Sequence, residues 1–191
     1  MKTALASLAI LLIGFNAYAE EVSPTEMKQI ESQLDLYEKA ARKKEFIKVA
    51  SFMYEKDLIR FKKAIIEILP LVENSKDDIK TAFENFYGRK LTVDYLTKLS
   101  PQEFYGAFLG GGIKFSIPEH TSEIKTADKN ANIYTVDIIF HFSIDGRTVS
   151  KNQINSLIKT DTGFWMRIPE RMFEKISRFK SLYKYKKLTG R

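Results

Sequence analysis

The chain has 191 residues, no cysteine, 31 lysine and arginine residues and 24 aspartate and glutamate residues, with a formal net charge of +7. Without cysteine there are no disulfides, no thiol nucleophile and no cysteine-ligated metal, so the fold depends on its hydrophobic core. The aromatic content of 13% is ample for one core in a chain of this length.

The first nineteen residues have the order of parts of a cleavable secretory signal peptide. Lys2 supplies a positive start, an apolar run extends from Ala4 to Phe15, and Ala17 and Ala19 are the small residues that a signal peptidase accepts. A run of about a dozen apolar residues is shorter than the roughly 20 that cross a bilayer as a helix. We therefore predict cleavage after Ala19 and a periplasmic protein that is not a lipoprotein, because a lipoprotein carries its acyl chains on a cysteine.

The excess positive charge lies at the end of the chain. Residues 170–191 contain eight basic and two acidic residues, a net charge of +6, whereas residues 20–169 contain 22 of each sign. The basic character therefore belongs to a tail and not to the body. Export argues against nucleic acid as the partner of this charge.

The first half of the chain after Ala19 shows helical periodicity. The stretch Ser23–Glu26 is a helix start, in which Ser caps, Pro takes the first helical position and Glu reaches back to the cap. A second periodic segment begins at Phe46 and is expected to end at Pro70. Short helices are predicted over residues 79–88, 91–99 and 101–109, with cap-type residues at 74–77. The glycine run 110–112 is interpreted as a helix stop before a strand.

Beyond the glycines the apolar residues recur every second position, which is typical of strands. Strands are predicted at 113–117 and 122–126, and the clearest one at Ile133–Ile144. Hairpin signals at Asp145-Gly146 and Asp161–Gly163 join it to two further strands. Helices followed by an antiparallel meander predict an α+β fold, in which N-terminal helices pack on a curved sheet within a single domain over residues 20–169.

This order of parts resembles the nuclear-transport-factor-2-like superfamily, a cone-shaped α+β fold that includes polyketide-cyclase-like enzymes. Ala40–Tyr54 resembles the short helix, charged turn and second helix that open those domains, and Gly163–Ile168 resembles their closing Gly-x-Trp strand. The resemblance covers about Thr25 to Glu170. It implies a cone that can take a ligand and a homodimer that pairs through the sheet. No acid–base residue of those enzymes aligns here, so no catalytic role is carried over.

Four residues are candidate ligand contacts in such a cone: Tyr134, Asp137, His141 and Trp165. Asp137 and His141 share the more polar face of the predicted strand, and the alternative is that this face is solvent-exposed. The alternative for Trp165 is a core residue, which a lone Trp near the end of a meander more often is. The two histidines, His120 and His141, have no carboxylates at a metal-ligand spacing, so we expect neither a metal site nor a cofactor.

The tail is predicted to form a basic amphipathic helix from Glu170. Met172, Ile176, Phe179 and Tyr183 step by four, three and four residues into one apolar seam. The candidate contacts with an anionic surface are the basic residues Arg171, Lys175, Arg178, Lys180, Lys184, Lys186 and Lys187. The alternative is a final helix docked on the domain with a solvated basic end.

These features predict a non-enzymatic periplasmic binding module for a small apolar or lipid-like ligand, or for an envelope partner such as an anionic membrane surface. One alternative is an enzyme of the polyketide-cyclase type that uses acid–base groups in the cone. Another is a protein-interaction or immunity-type protein that binds through its sheet. A filled interior favours interaction, an open apolar cavity favours a carrier, and converging acid–base groups favour an enzyme.

Overall fold

A computed structural model describes residues 20–72, 79–112, 120–144 and 146–189. The elements in chain order are β1 (Glu20–Glu21), α1 (Pro24–Arg42), α2 (Phe46–Ala50), α3 (Glu55–Val72), α4 (Lys80–Tyr87), α5 (Val93–Lys98), α6 (Pro101–Gly112), β2 (His120–Asn130), β3 (Ile133–Ile144), β4 (Arg147–Thr160), β5 (Gly163–Met166) and α7 (Glu170–Thr189). The fold is α+β, as predicted. Helices are followed by an antiparallel sheet of order β1-β2-β3-β4-β5 and by a C-terminal helix.

The predicted start of α1 is confirmed in its atomic detail. The Glu26 amide donates to Ser23 Oγ at 3.3 Å, and the Ser23 amide donates to Glu26 Oε2 at 3.2 Å. This capping box satisfies donors that the first turn of a helix leaves without intrahelical partners. Ile30 and Leu34 then bury one face of α1 in the core.

The prediction that the second helical segment ends at Pro70 is wrong. The segment divides into α2 and α3, and Phe52 and Tyr54 between them form backbone hydrogen bonds with Met166 of β5 at 2.9 and 2.8 Å. Helix α3 then continues through Pro70 to Val72. A proline so close to the helix end removes one backbone hydrogen bond without breaking the long part of the helix.

The interpretation of the glycine run as a helix stop is also wrong, because Gly110–Gly112 belong to α6. A Cβ at Gly111 would lie 1.5 Å from the carbonyl oxygen of Ala82, and one at Gly110 would lie 2.5 Å from the ring of Phe86. The glycines therefore let α6 approach α4 closely. The strand predicted at 113–117 and the cap residues at 74–77 lie outside the described residues.

The sheet is a meander of long strands and short turns. Strand β2 extends to Asn130 and β3 begins at Ile133, so the turn between them consists of Ala131 and Asn132. Strands β3 and β4 pair without interruption, from Ile133 opposite Ile158 to Ile144 opposite Arg147. Strand β5 is much shorter and pairs only with the last four residues of β4.

The core lies between the helices and the inner face of the sheet. Tyr134, Val136 and Ile138 alternate along β3 and are buried, as the two-residue period predicts. Aromatic rings from the helices complete the core, with the centroids of Phe61 and Tyr105 5.0 Å apart in an edge-to-face contact. The inner face of the sheet is thus filled by side chains where the helices cover it.

One buried ion pair joins the sheet to α3. Arg167, directly after β5, donates from Nε to Asp57 Oδ2 at 2.6 Å and from Nη2 to Asp57 Oδ1 at 3.1 Å. The amide of Ile168 donates to the same Oδ2 at 3.2 Å. Only 5% of the Asp57 side chain is exposed, and its three donors compensate for the loss of hydration.

We predict that Asp57→Ala lowers the free energy of unfolding by about 3 kcal/mol, because Arg167 and the Ile168 amide lose their acceptor. The double variant Asp57→Leu/Arg167→Met should lose less, since it buries no lone charge. Urea unfolding followed by circular dichroism measures both. A double variant less stable than Asp57→Ala would show that the unpaired Arg167 is not the cause of the loss.

Candidate functional site

Tyr134, a predicted ligand contact, is a core residue in the structure. Its side chain is fully buried, and its ring meets that of Phe164 edge-to-face with centroids 4.8 Å apart. The hydroxyl donates to Glu26 Oε1 at 2.6 Å. Tyr134 therefore ties β3 to the first turn of α1, and burial raises the pKa of its hydroxyl well above the ordinary value.

The Glu26 carboxylate is the centre of a polar cluster between α1 and the sheet. Besides Tyr134, Lys159 donates from Nζ to Glu26 Oε1 at 2.9 Å, and the Lys129 Nζ lies 3.8 Å from the same oxygen. The hydrogen bond from Tyr134 and then that from Lys159 lower the pKa of Glu26 from 4.5 to about 2. The cluster holds the start of α1 on β3 and β4.

A group whose pKa is lowered by folding stabilises the fold above its unfolded pKa and loses that contribution as the pH falls. We predict that Glu26→Gln costs about 2 kcal/mol at neutral pH and that this cost shrinks between pH 4.5 and 2. Urea unfolding at a series of pH values measures it, with the exposed Glu31→Gln in the same helix as the control. A cost of Glu26→Gln that stays constant over this range would contradict the assignment.

Asp137 and His141 lie on the outer face of the sheet, opposite the helices. The polar partners of His141 come from neighbouring strands. His141 Nδ1 lies 2.8 Å from Ser150 Oγ, and its Nε2 lies 3.4 Å from Glu123 Oε1. Asp137 faces Thr126 across a β-bulge, with one carboxylate oxygen buried and without a hydrogen-bond partner. Asp137 and His141 thus have different neighbours across the strands and do not contact a common partner.

Ser150, His141 and Glu123 form a row across three strands and have the residue types of a nucleophile, a base and an acid, in that order. Acyl transfer also needs donors aimed at a developing oxyanion and a site shielded from water. Here the side chains of His141 and Glu123 are 32% and 64% exposed on a sheet face. We interpret the row as cross-strand hydrogen bonding. The hairpin signal could have revealed the contact between His141 and Ser150, because the pairing of Ile144 with Arg147 places residue 150 opposite residue 141.

Trp165 also lies on the outer face, because its neighbours Phe164 and Met166 point into the core. Its Nε1 donates to Thr160 Oγ1 at 3.0 Å, and it pairs with Ile158 of β4. Tyr134 is on the opposite side of the sheet. The structure therefore does not bring the four predicted ligand contacts together around one cavity.

A cluster that the sequence did not reveal joins the end of α1 to β2. The ring of His120 contacts those of Phe140 and Phe142, and its Nε2 lies 3.6 Å from Glu38 Oε2. Arg42 donates both to Glu38 and to the carbonyl oxygen of His120. Among the residues that the structure describes, no group of three or more metal-ligating side chains is positioned to hold an ion.

Helix α7 is docked on α3 by two ion pairs and an apolar seam. Arg60 donates twice to Glu170, at 2.8 and 2.5 Å, and Lys180 donates to Glu67 at 2.6 Å. Phe173 and Ile176 are buried in the same contact. The apolar face predicted for α7 thus does pack against the domain, and it also includes Phe173. Lys180, a predicted surface contact, instead helps to hold the helix on the domain.

The opposite face of α7 is basic and carries two exposed apolar side chains. Arg171, Lys175, Arg178, Leu182 and Tyr185 recur at steps of four, three, four and three residues and form one stripe, which we call the outward stripe. All five are exposed, Leu182 by 60% and Tyr185 by 61%. Glu174 lies on the same face, whereas Lys184 is exposed on the side of Lys180, where it acts on Glu67 of α3. The side chains of Lys186 and Lys187 lie outside the described part of the structure.

No protein-family model, no curated protein and no solved structure matches the chain. The nuclear-transport-factor-2-like resemblance therefore stays a prediction. Within the described ranges, no helix has the length and apolar character needed to cross a bilayer.

Proposed function

We propose that the protein is a non-enzymatic binding module that acts outside the cytoplasm and docks on an anionic membrane surface through the outward stripe of α7. The observation that carries the proposal is the division of α7 into two faces. One face is held on α3 by Phe173, Ile176 and the Glu170 ion pair. The other presents charge and apolar side chains to the solvent.

The chemistry of the outward stripe matches a layer of anionic headgroups. Arg171, Lys175 and Arg178 supply positive charge, and each basic residue near an anionic membrane contributes about 1 kcal/mol. Leu182 and Tyr185 follow on the same face and are suited to the boundary between headgroups and acyl chains. Residues 20–169 carry no net charge, so the excess positive charge of residues 20–191 is concentrated in the tail.

The interior supports interaction more than ligand carriage or catalysis. The inner face of β3 is buried against the helices at Tyr134, Val136 and Ile138. The candidate acid–base groups Asp137 and His141 lie on the opposite face of the sheet, away from the helices. A filled inner face and a separated set of polar groups favour a protein that works through its surface.

We predict that the protein binds vesicles that contain anionic phospholipid and not purely zwitterionic vesicles, with an affinity that falls as salt is added. The variant Arg171→Ser/Lys175→Ser/Arg178→Ser should bind about a hundredfold more weakly, because three contributions of about 1 kcal/mol are removed. Vesicle co-sedimentation over a range of lipid concentrations measures the affinity.

The matched control is Lys28→Ser/Lys56→Ser/Lys125→Ser, which removes the same charge from exposed positions of α1, α3 and β2. It should bind nearly as tightly as the unchanged protein. The proposal fails if the two triple variants bind equally, since only net charge would then matter. It also fails if both kinds of vesicle bind the protein alike.

A further inference from the structure

A long stretch of β4 has a neighbouring strand on one side only. Strand β3 pairs with β4 from Arg147 to Ile158, whereas β5 pairs only with Leu157–Thr160. Among the residues that the structure describes, no strand covers the other side of Arg147–Asn155, which we call the open edge. The side chains from Arg147 to Ile154 are all exposed.

The backbone of the open edge is oriented to accept a further strand. The Lys159 amide donates to the Asn132 carbonyl oxygen on the β3 side, and the Ser156 carbonyl oxygen accepts from Arg167 on the β5 side, both at 2.8 Å. Backbone groups alternate in direction along an antiparallel strand. The amide and carbonyl groups that point out of the open edge are therefore those of Thr148, Ser150, Asn152 and Ile154. Such a row is a template for strand addition.

The charge of the open edge indicates which strand would fit. The open edge contains Arg147 and Lys151 but no acidic residue. Arg147 and Lys151 share the inner face with Val149, which is 47% exposed, whereas Ile154 is 70% exposed on the outer face. A strand with acidic residues on one face and β-branched residues on the other complements this edge. A second copy of β4 would instead bring positive charges together, which is unfavourable.

We propose that the open edge binds an extended acidic segment of a partner protein by strand addition, with acidic side chains beside Arg147 and Lys151. This inference is independent of the outward stripe, because the two surfaces lie on different elements. It assigns to the sheet a protein partner, whereas α7 is assigned a membrane surface.

The test uses a capped peptide of about nine residues, the length of the open edge, with Glu at every second position and Val or Thr between. A peptide with Lys in place of Glu is the control. We expect the Glu peptide to protect the amides of Thr148, Ser150, Asn152 and Ile154 from hydrogen exchange, measured by nuclear magnetic resonance without vesicles. Equal binding of the two peptides, or protection elsewhere only, overturns the proposal.

Two variants test the backbone and the charge separately. Asn152→Pro removes an outward amide without touching the β3 ladder, and should weaken binding about tenfold relative to Asn152→Ala. Arg147→Glu/Lys151→Glu should reverse the preference between the Glu and Lys peptides, because it exchanges both positive charges of the open edge for negative ones. Lack of both effects overturns the proposal. Analytical ultracentrifugation tests whether the protein pairs with itself through this edge. If the unchanged protein is a dimer and Asn152→Pro is a monomer, the open edge binds a second copy and the proposal is overturned.

Discussion

The junction between the end of the sheet and α3 determines how the rest of the molecule is arranged. Met166 bonds to the backbone of the segment before α3, and the next residue, Arg167, is held by the buried Asp57. These contacts fix the point and direction from which the chain enters α7. Arg60 of α3 then pairs with Glu170 at the first residue of α7. The side of α7 that faces the core is thereby set, and so is the side that faces solvent.

The fixed rotation of α7 allows one helix to have two roles. Its inner face extends the core with Phe173 and Ile176, so the tail is part of the fold and its basic character is displayed from a rigid support. Charges on a rigid helix are presented to a surface together, and they lose less conformational entropy on binding than charges on a flexible chain. Because residues 20–169 carry no net charge, the excess positive charge lies on the α7 side of the molecule. We propose that the fold serves to orient the outward stripe as a binding surface.

The sequence predicted the features that depend on neighbouring residues. The Ser23–Glu26 cap, the hairpin at 145–146 and the seam of α7 are local patterns with a physical cause within a few residues. It did not predict the role of Gly111, which depends on a carbonyl oxygen of α4, or the continuation of α3 through Pro70. The partners of Tyr134 could not be predicted either, because they depend on which helix meets the sheet, whereas the contact of His141 with Ser150 follows from the register of the hairpin.

The proposed function depends on α7 meeting an anionic membrane with its outward stripe. The absence of cysteine from the sequence allows a single spin label to be placed by Ser181→Cys beside the stripe or, as a control, by Ser32→Cys on the exposed side of α1. The accessibility of each label to a water-soluble relaxation agent would be measured on anionic vesicles by electron paramagnetic resonance. We expect the label at 181 to be shielded from the relaxation agent and the label at 32 to remain accessible to it. Equal accessibility of the two labels on the vesicles would contradict the proposed function.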